Sequence, residues 1–238
     1  MMKEKVFRFK QFSVTNDRAP MKVGTDGVLL GAWCGVKGAR SVLDVGTGTG
    51  LIALMTAQRN ATATITGIDI DAAAAAEAAA NFASSPWSDR LQAFEGDFLD
   101  FTPDDGAPYD LIVSNPPFFT QDVRSPNGRR DLARHAASLP FYPMLAHAAT
   151  LLAAAGRMAL VSPVEALDTI QEAAALASLH VVRLTRVSPI EGRPTKRLLW
   201  ELSPQRAPLE RADLALHATD GSPTLSYATL VAPFYLKI

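Results

Sequence analysis

The sequence holds one cysteine in 238 residues, which excludes an internal disulfide. That residue, Cys34, lies in the apolar stretch LLGAWCGV and reads as a small packed core side chain, not as a nucleophile. Long hydrophobic runs are missing too. No apolar segment reaches the ~18 residues of a membrane-helix candidate, and Met1–Lys10 alternates charge with Val6, Phe7 and Phe9 instead of forming an apolar signal core. A cytoplasmic protein with no membrane partner is therefore expected. Neither sign of charge dominates: the formal net charge is −1, so the chain as a whole does not read as a polycation.

That balance conceals a segregation. Residues 1–40 carry eight Lys or Arg against three acids, while residues 41–110 carry two against eleven. A polyanion would meet the ends of the chain before its middle if those ends fold onto one face; ordinary solvated surface charge is the alternative. With 48% apolar residues the chain is long enough to bury a substantial core. It is read as one globular domain over 1–238 and as a monomer, with a basic N-terminal extension over 1–40.

Short β-rich runs alternate with helical patterns, the signature of a parallel sheet flanked by helices. Strands are predicted at Ser41–Val45, Ile65–Ile70, Leu91–Phe94, Leu111–Ser114, Arg157–Val161, Val181–Val187 and Arg197–Leu202. Helices are predicted at Leu51–Gln58, Ala72–Phe82, Leu139–Ala154 and Val164–Ala177. The run AAAAAEAAA falls where a crossover helix is required; alanine has the best helix propensity, and Asp71 stands where it can cap the start. Pro204–Pro208 reads as a turn into a final hairpin ending in Phe234-Tyr235-Leu236. One stretch, 118–138, has no regular pattern and contains Arg124, Arg129, Arg130 and Arg134; a loop that long is usually functional or mobile.

Val42-Leu43-Asp44-Val45 leads into Gly46-Thr47-Gly48-Thr49-Gly50, a strand followed by a glycine-rich turn that lets the backbone bend and a ligand approach. Glycines serve tight turns anyway, so a second element is needed. Ile65–Asp69 supplies it: a strand ending in an acid, placed to accept hydrogen bonds from two ribose hydroxyls or, alternatively, to cap the next helix. The D-x-G-x-G-x-G form lacks the sixth-position glycine of a dinucleotide site, which disfavours a nicotinamide oxidoreductase. It resembles motif I of the Rossmann-like methyltransferases. That resemblance implies S-adenosylmethionine as cofactor, with Gly46, Gly48 and Gly50 lining its methionine part, Asp44 ordering the turn and Asp97, at the end of the third strand, on the adenine amino group. A sulfonium is already an activated methyl donor, so the chemistry demands alignment and no metal.

Asp110–Ser114 runs into Asn115-Pro116-Pro117-Phe118, a strand stopped at once by two prolines that fix polar atoms at the sheet edge. An exocyclic amine conjugated to a ring is a poor nucleophile. Accepting its two N–H bonds with the Asn115 side-chain oxygen and the Pro116 carbonyl would draw its nitrogen toward sp³ geometry and free the lone pair. Phe118 offers a face for a planar acceptor, a contact worth roughly 1–3 kcal/mol per base. The tetrad resembles motif IV of amino-methyltransferases. No general base is required, and His135 and His147 read as surface or packing residues.

The tetrad alone leaves adenine, guanine N2 and protein glutamine open as acceptors. Phe7–Phe12, Met21–Trp33, the glycine turn, NPPF, Ala133-Arg134-His135 and Lys196–Glu201 together closely resemble the bacterial methyltransferases that make N6-methyladenine at position 37 of a valine-specific tRNA. The resemblance implies an α/β sandwich, a seven-stranded mostly parallel sheet with helices on both faces. It also places Thr25 and Gly27 over the methionine end of the cofactor; without it, Gly24–Gly27 reads as a turn or a helix cap. Ala19 departs from a position where such relatives often carry cysteine. With tRNA as partner, Lys3, Lys5, Arg8, Lys10, the loop arginines, Arg193, Lys196 and Arg197 form a candidate phosphate rim. The rival readings are an rRNA guanine-N2 enzyme, which commonly has a duplicated domain, a protein glutamine enzyme, which usually has a helical N-terminal domain, and a non-catalytic RNA-binding module.

Overall fold

The structure, a computed structural model, describes residues 6–17, 23–103, 106–116 and 141–238. In chain order its elements are strands β1 (Val6–Arg8) and β2 (Ser13–Thr15), helix α1 (Thr25–Trp33), β3 (Ser41–Val45), α2 (Leu51–Arg59), β4 (Thr64–Asp69), α3 (Ala72–Ala83), β5 (Leu91–Glu95), β6 (Tyr109–Ser114), α4 (Tyr142–Leu151), β7 (Leu152–Pro163), α5 (Leu167–Leu176), β8 (His180–Ile190), β9 (Arg197–Ser203), β10 (Glu210–His217) and α6 (Leu225–Val231).

Eight strands form one sheet in the order β10-β8-β9-β7-β6-β3-β4-β5, and every strand except β9 runs the same way. Its central strands are apolar on both faces because both faces are covered. Val42, Leu111, Val113, Ala159, Val161 and Leu199 pack with α1, α2 and α6, while Leu43, Ile112, Met158, Leu160, Leu198 and Trp200 pack with α4 and α5. The period-two alternation thus divides the interior into two cores, each deep enough to bury side chains worth about 1.5–3 kcal/mol apiece.

Three expectations change. The sheet has eight strands, not seven. Glu210–His217 adds in parallel to β8, and the expected final hairpin is this strand followed by α6, capped by Thr224 through the Tyr227 N–H. The polar run Glu210–Asp213 is exposed along this edge strand and hides its period. Second, the alanine-rich end of the third predicted helix belongs to β7: pairing jumps from Tyr109↔Leu152 to Leu111↔Arg157, so tertiary pairing overrides alanine's helix propensity. Third, of the two readings of Gly24–Gly27 the helix cap holds and the turn does not: Gly24 is the N-cap of α1, which begins at Thr25. Every residue of α1 from Gly27 to Trp33 is buried, so it carries no polar face that would have marked it.

The basic N-terminal segment also packs into the body of the fold. Phe9 and Phe12 are buried and stacked, Phe9 stacks on Tyr235, and Lys10 bonds Phe234 and Ala232 carbonyls near the C-terminus. Among the described residues no helix is long and apolar enough to cross a membrane.

Candidate active site

Parallel strands end together, so the segments that follow β3, β4, β5 and β6 emerge at one sheet edge. Val45 pairs with Ser114 on one side and Ile68 on the other, which sets Gly46 beside both Asn115 and Asp69. Because β9 runs the other way, its first residue, Arg197, lies on this same edge opposite Pro163.

The turn itself is held from beneath. Gly46 and Thr47 donate to the Ile68 carbonyl, Gly48 donates to Asp69 Oδ2 at 2.8 Å, and Gly50 closes back on Thr47. Gly46 and Gly48 have φ of +66° and +57°, and a Cβ on Gly46 would point into space with no atom within 4 Å. Gly50 is different: a Cβ there would overlap the Phe82 ring, so this glycine serves the packing of α3 on the turn. Gly46 and Gly48 line the cleft described below, and Gly50 follows them at the start of α2.

Asp44 lies under the turn, fully buried. Its Oδ2 accepts from Thr47 Oγ1 at 2.8 Å and from Ala53 N–H at 3.1 Å, whereas Oδ1 has no hydrogen-bond partner among the described residues. Burial pushes its carboxyl up to about 7, against the two hydrogen bonds, which act downward. Asp69 is no helix cap; that role belongs to Asp71, which accepts from Ala73 and Ala74 N–H. Asp69 Oδ1 accepts from Asp71 N–H, so each Asp69 oxygen has one partner and retains acceptor capacity. Asp97 is exposed and accepts from Leu99 N–H through Oδ1, opening a short 3-10 turn.

A cleft of about 340 Å³ opens between the glycine turn, α1 and the ends of β6 and β9, with Asp44, Asp69 and Asp97 outside its lining. Its walls are Val23–Gly27, Gly46–Thr49, Leu51, Ile52, Asn115 and Arg197. The volume is at the lower end of small-molecule sites, about 300–1,000 Å³. Asn115 Nδ2 is 3.9 Å from the position of a Cβ on Gly27, so α1 stands directly across from the strand end. Pro116, the next residue, is buried. Arg197, expected on the phosphate rim, donates to Asp26 at 2.9 Å and so ties β9 to the first turn of α1, while Lys196 is exposed. Phe118, Arg124, Arg129, Arg130, Arg134 and His135 lie outside the described residues, as do Lys3 and Lys5.

Two residues at this edge escaped the sequence reading. Ile70 is 70% exposed directly after Asp69, and Leu99 is 47% exposed two residues after Asp97, so each acid has an apolar neighbour. A strand-end aliphatic followed by an acidic cap gives no signal of its own. His147 bonds the Phe101 carbonyl and meets Phe98 edge-on, a packing role. Burial raises the Cys34 thiol to about 11, which leaves it inert. A larger hollow of about 1,150 Å³ lies against β4 and β5, away from the glycine turn. Its one strand-borne acid, Asp110, is engaged with the Arg40 and Ser41 N–H groups.

Residues 29–171 match the family described as "Methyltransferase small domain". A tRNA1(Val) (adenine(37)-N6)-methyltransferase of Parabacteroides distasonis is 43% identical over 234 residues, spanning 98% of each chain. One from Trichodesmium erythraeum is 42% identical, over 97% of this chain and 98% of its own. Among solved structures, a predicted O-methyltransferase from Agrobacterium tumefaciens superimposes with a TM-score of 0.69 at 20% identity, covering 88% of this chain and 96% of its own, which shows the shared fold. The chain therefore belongs to the methyltransferase small domain family and to the tRNA1(Val) (adenine(37)-N6)-methyltransferase family.

Proposed function

We propose that this protein transfers a methyl group from S-adenosylmethionine to the N6 nitrogen of adenine 37 in tRNA1(Val), the activity for which its relatives are named. The observation that carries the reading is the meeting of Asn115 and the glycine turn in one cleft. The open space above Gly46 and the buried, unpartnered Asp44 oxygen both fit a cationic ligand seated on the turn. Gly46 and Gly48, with Thr25 and Gly27 across from them, would hold the methionine end. Asp69 would take the ribose hydroxyls and Asp97 the adenine amino group, with Ile70 and Leu99 against the ring.

S-adenosylmethionine supplies a positively charged, preactivated methyl group, so the protein's work is alignment. The Asn115 side-chain oxygen and the Pro116 carbonyl accept the two N–H bonds of the target amine and expose its lone pair. Phe118 would offer its ring to the base. After transfer the surplus proton leaves a cationic nitrogen to solvent, so no side-chain base is needed. Arg124, Arg129, Arg134 and Lys196 would meet the RNA backbone. An anticodon-loop purine is partly unpaired already, so turning it into the cleft costs less than extracting a base from a duplex.

The test is methyl transfer from radiolabelled S-adenosylmethionine to total tRNA of a strain lacking the activity, followed by nucleoside analysis. The expected product is N6-methyladenosine confined to one valine tRNA. Label in N2-methylguanosine, or in protein glutamine and not in RNA, would overturn the assignment.

A further inference from the structure

Helix α3 inverts the usual distribution of polarity. Ten of its twelve residues are alanine or phenylalanine, and Ala72, Ala73, Ala76, Ala80 and Ala83 face water. Its only two polar side chains, Glu77 and Asn81, are each 4% exposed. Burying a carboxylate and an amide is unfavourable unless their polar atoms are matched, so their partners matter. At positions i and i+4 the two share one helix face.

Glu77 Oε1 accepts from the Asp17 N–H at 2.7 Å. Asn81 Oδ1 accepts from the Thr15 N–H at 2.9 Å, and its Nδ2 donates both to the Thr15 carbonyl at 3.0 Å and to the Thr49 carbonyl at 2.9 Å. One amide therefore joins three segments distant in sequence: the end of β2, the helix, and the glycine turn. Of these three, the glycine turn lines the cleft. Thr49 belongs to the turn that lines it, and the chain beyond Asp17 returns as Val23–Gly27 on the opposite wall. Phe82, next to Asn81, fills the place of a Gly50 side chain and fixes the same turn from below.

We infer that Asn81, supported by Glu77, is a positioning residue for cofactor binding: it locks the glycine turn and the N-terminal strand in one register, and so sets the width of the cleft between the turn and α1. The inference rests on the proposed S-adenosylmethionine site and adds to it a determinant that touches no ligand. A merely structural role would lower stability without selectively weakening the cleft.

The test compares Asn81→Ala, Asn81→Asp and Glu77→Gln with the wild type. The measurements are the S-adenosylmethionine Kd by calorimetry well below each Tm, and backbone amide exchange in the free protein. Asn81→Asp keeps the acceptor for Thr15 but sets a carboxylate against two carbonyls, and is expected to weaken binding at least as much as Asn81→Ala, about tenfold or more. Glu77→Gln retains an acceptor for Asp17 and should bind within about threefold of the wild type. Amides of 15–17 and 46–50 should exchange faster in both Asn81 variants while those of α4 and α5 do not. Binding within threefold in Asn81→Ala, whatever its Tm, or faster exchange throughout the chain, overturns the inference. Should Asn81→Ala fail to fold, Glu77→Ala, which releases the Asp17 N–H, carries the same test with an expected several-fold loss. A wild type that does not bind S-adenosylmethionine overturns the proposed function; Asn81 variants that bind as the wild type does overturn this inference alone.

Discussion

Gly48 gives its backbone N–H to Asp69 Oδ2 at 2.8 Å, so the acid at the end of β4 is a structural part of the turn that follows β3. Asp69→Ala then removes both the anchor of the turn and the proposed ribose acceptor. Hydrogen bonds to charged groups are worth about 1.5–3 kcal/mol. The expected result is a Kd for S-adenosylmethionine raised about 10- to 100-fold in calorimetry. Asp69→Asn, which keeps one acceptor for Gly48, should lose less.

The glycines of the turn should separate by phenotype. Gly50→Ala meets the Phe82 ring and also requires φ of +79°, so it should lower Tm strongly, with part of the loss recovered by Phe82→Leu. Gly46→Ala meets no atom and carries only the left-handed backbone cost, about 1–2 kcal/mol, but its methyl group enters the cleft. Cofactor affinity should collapse in Gly46→Ala while its Tm falls modestly. Equal loss of affinity in the two variants, each measured while folded, would contradict this division.

Asp44 makes stability depend on pH in a direction opposite to most carboxylates. Its folded-state value, about 7, lies above the ordinary 3.8, so the folded protein holds a proton that the unfolded chain has released over that interval. Its contribution is therefore fully present below about pH 4 and is lost as pH rises toward 7. Asp44→Asn should remove this slope. The difference in Tm between wild type and variant, followed from pH 5 to 8, should move in the variant's favour as pH rises.

Arg197 and Lys196 are neighbours with different partners. Arg197 is paired with Asp26, both side chains being partly buried at 34% and 23% exposure, whereas Lys196 is exposed. A double-mutant cycle of Arg197→Met with Asp26→Asn on denaturant unfolding should give a coupling of about 1 kcal/mol. In tRNA binding measured against salt, Lys196→Ala should reduce the slope by about one phosphate contact and Arg197→Met should leave it unchanged.

The parts of this site legible in the sequence are those where one residue type answers one local demand. Strand apolarity gave the sheet because its central strands are buried on both faces, and glycine with positive φ gave the turn. What stayed hidden depends on pairing between distant segments. Asn81, just past the alanine run, shows its role only when β2 lies against it, and nothing in the sequence marks the contact between Gly50 and Phe82. The pairing of Arg197 with Asp26 likewise depends on α1 and β9 meeting across 171 residues. Strand β10 is exposed along its first half and offers no period to read.

Asn115 bears the sharpest prediction, because it lines the cleft with Gly48 and, in the proposed chemistry, acts on the acceptor amine. Asn115→Ala removes one of the two acceptors that draw that nitrogen toward sp³ geometry, while the glycine turn, Asp69 and α1 keep their own hydrogen bonds. Single-turnover rates with saturating tRNA should therefore fall at least 100-fold, and the S-adenosylmethionine Kd should change by no more than a few fold. Asn115→Asp retains the side-chain acceptor and should recover part of the rate. Each factor of ten corresponds to about 1.4 kcal/mol of barrier, so a rate within tenfold of the wild type would leave Asn115 too small a share of the barrier for the role assigned to it. An equal fall in cofactor affinity would instead assign Asn115 to holding the cofactor, with the acceptor amine oriented by the Pro116 carbonyl and the base-stacking residue alone.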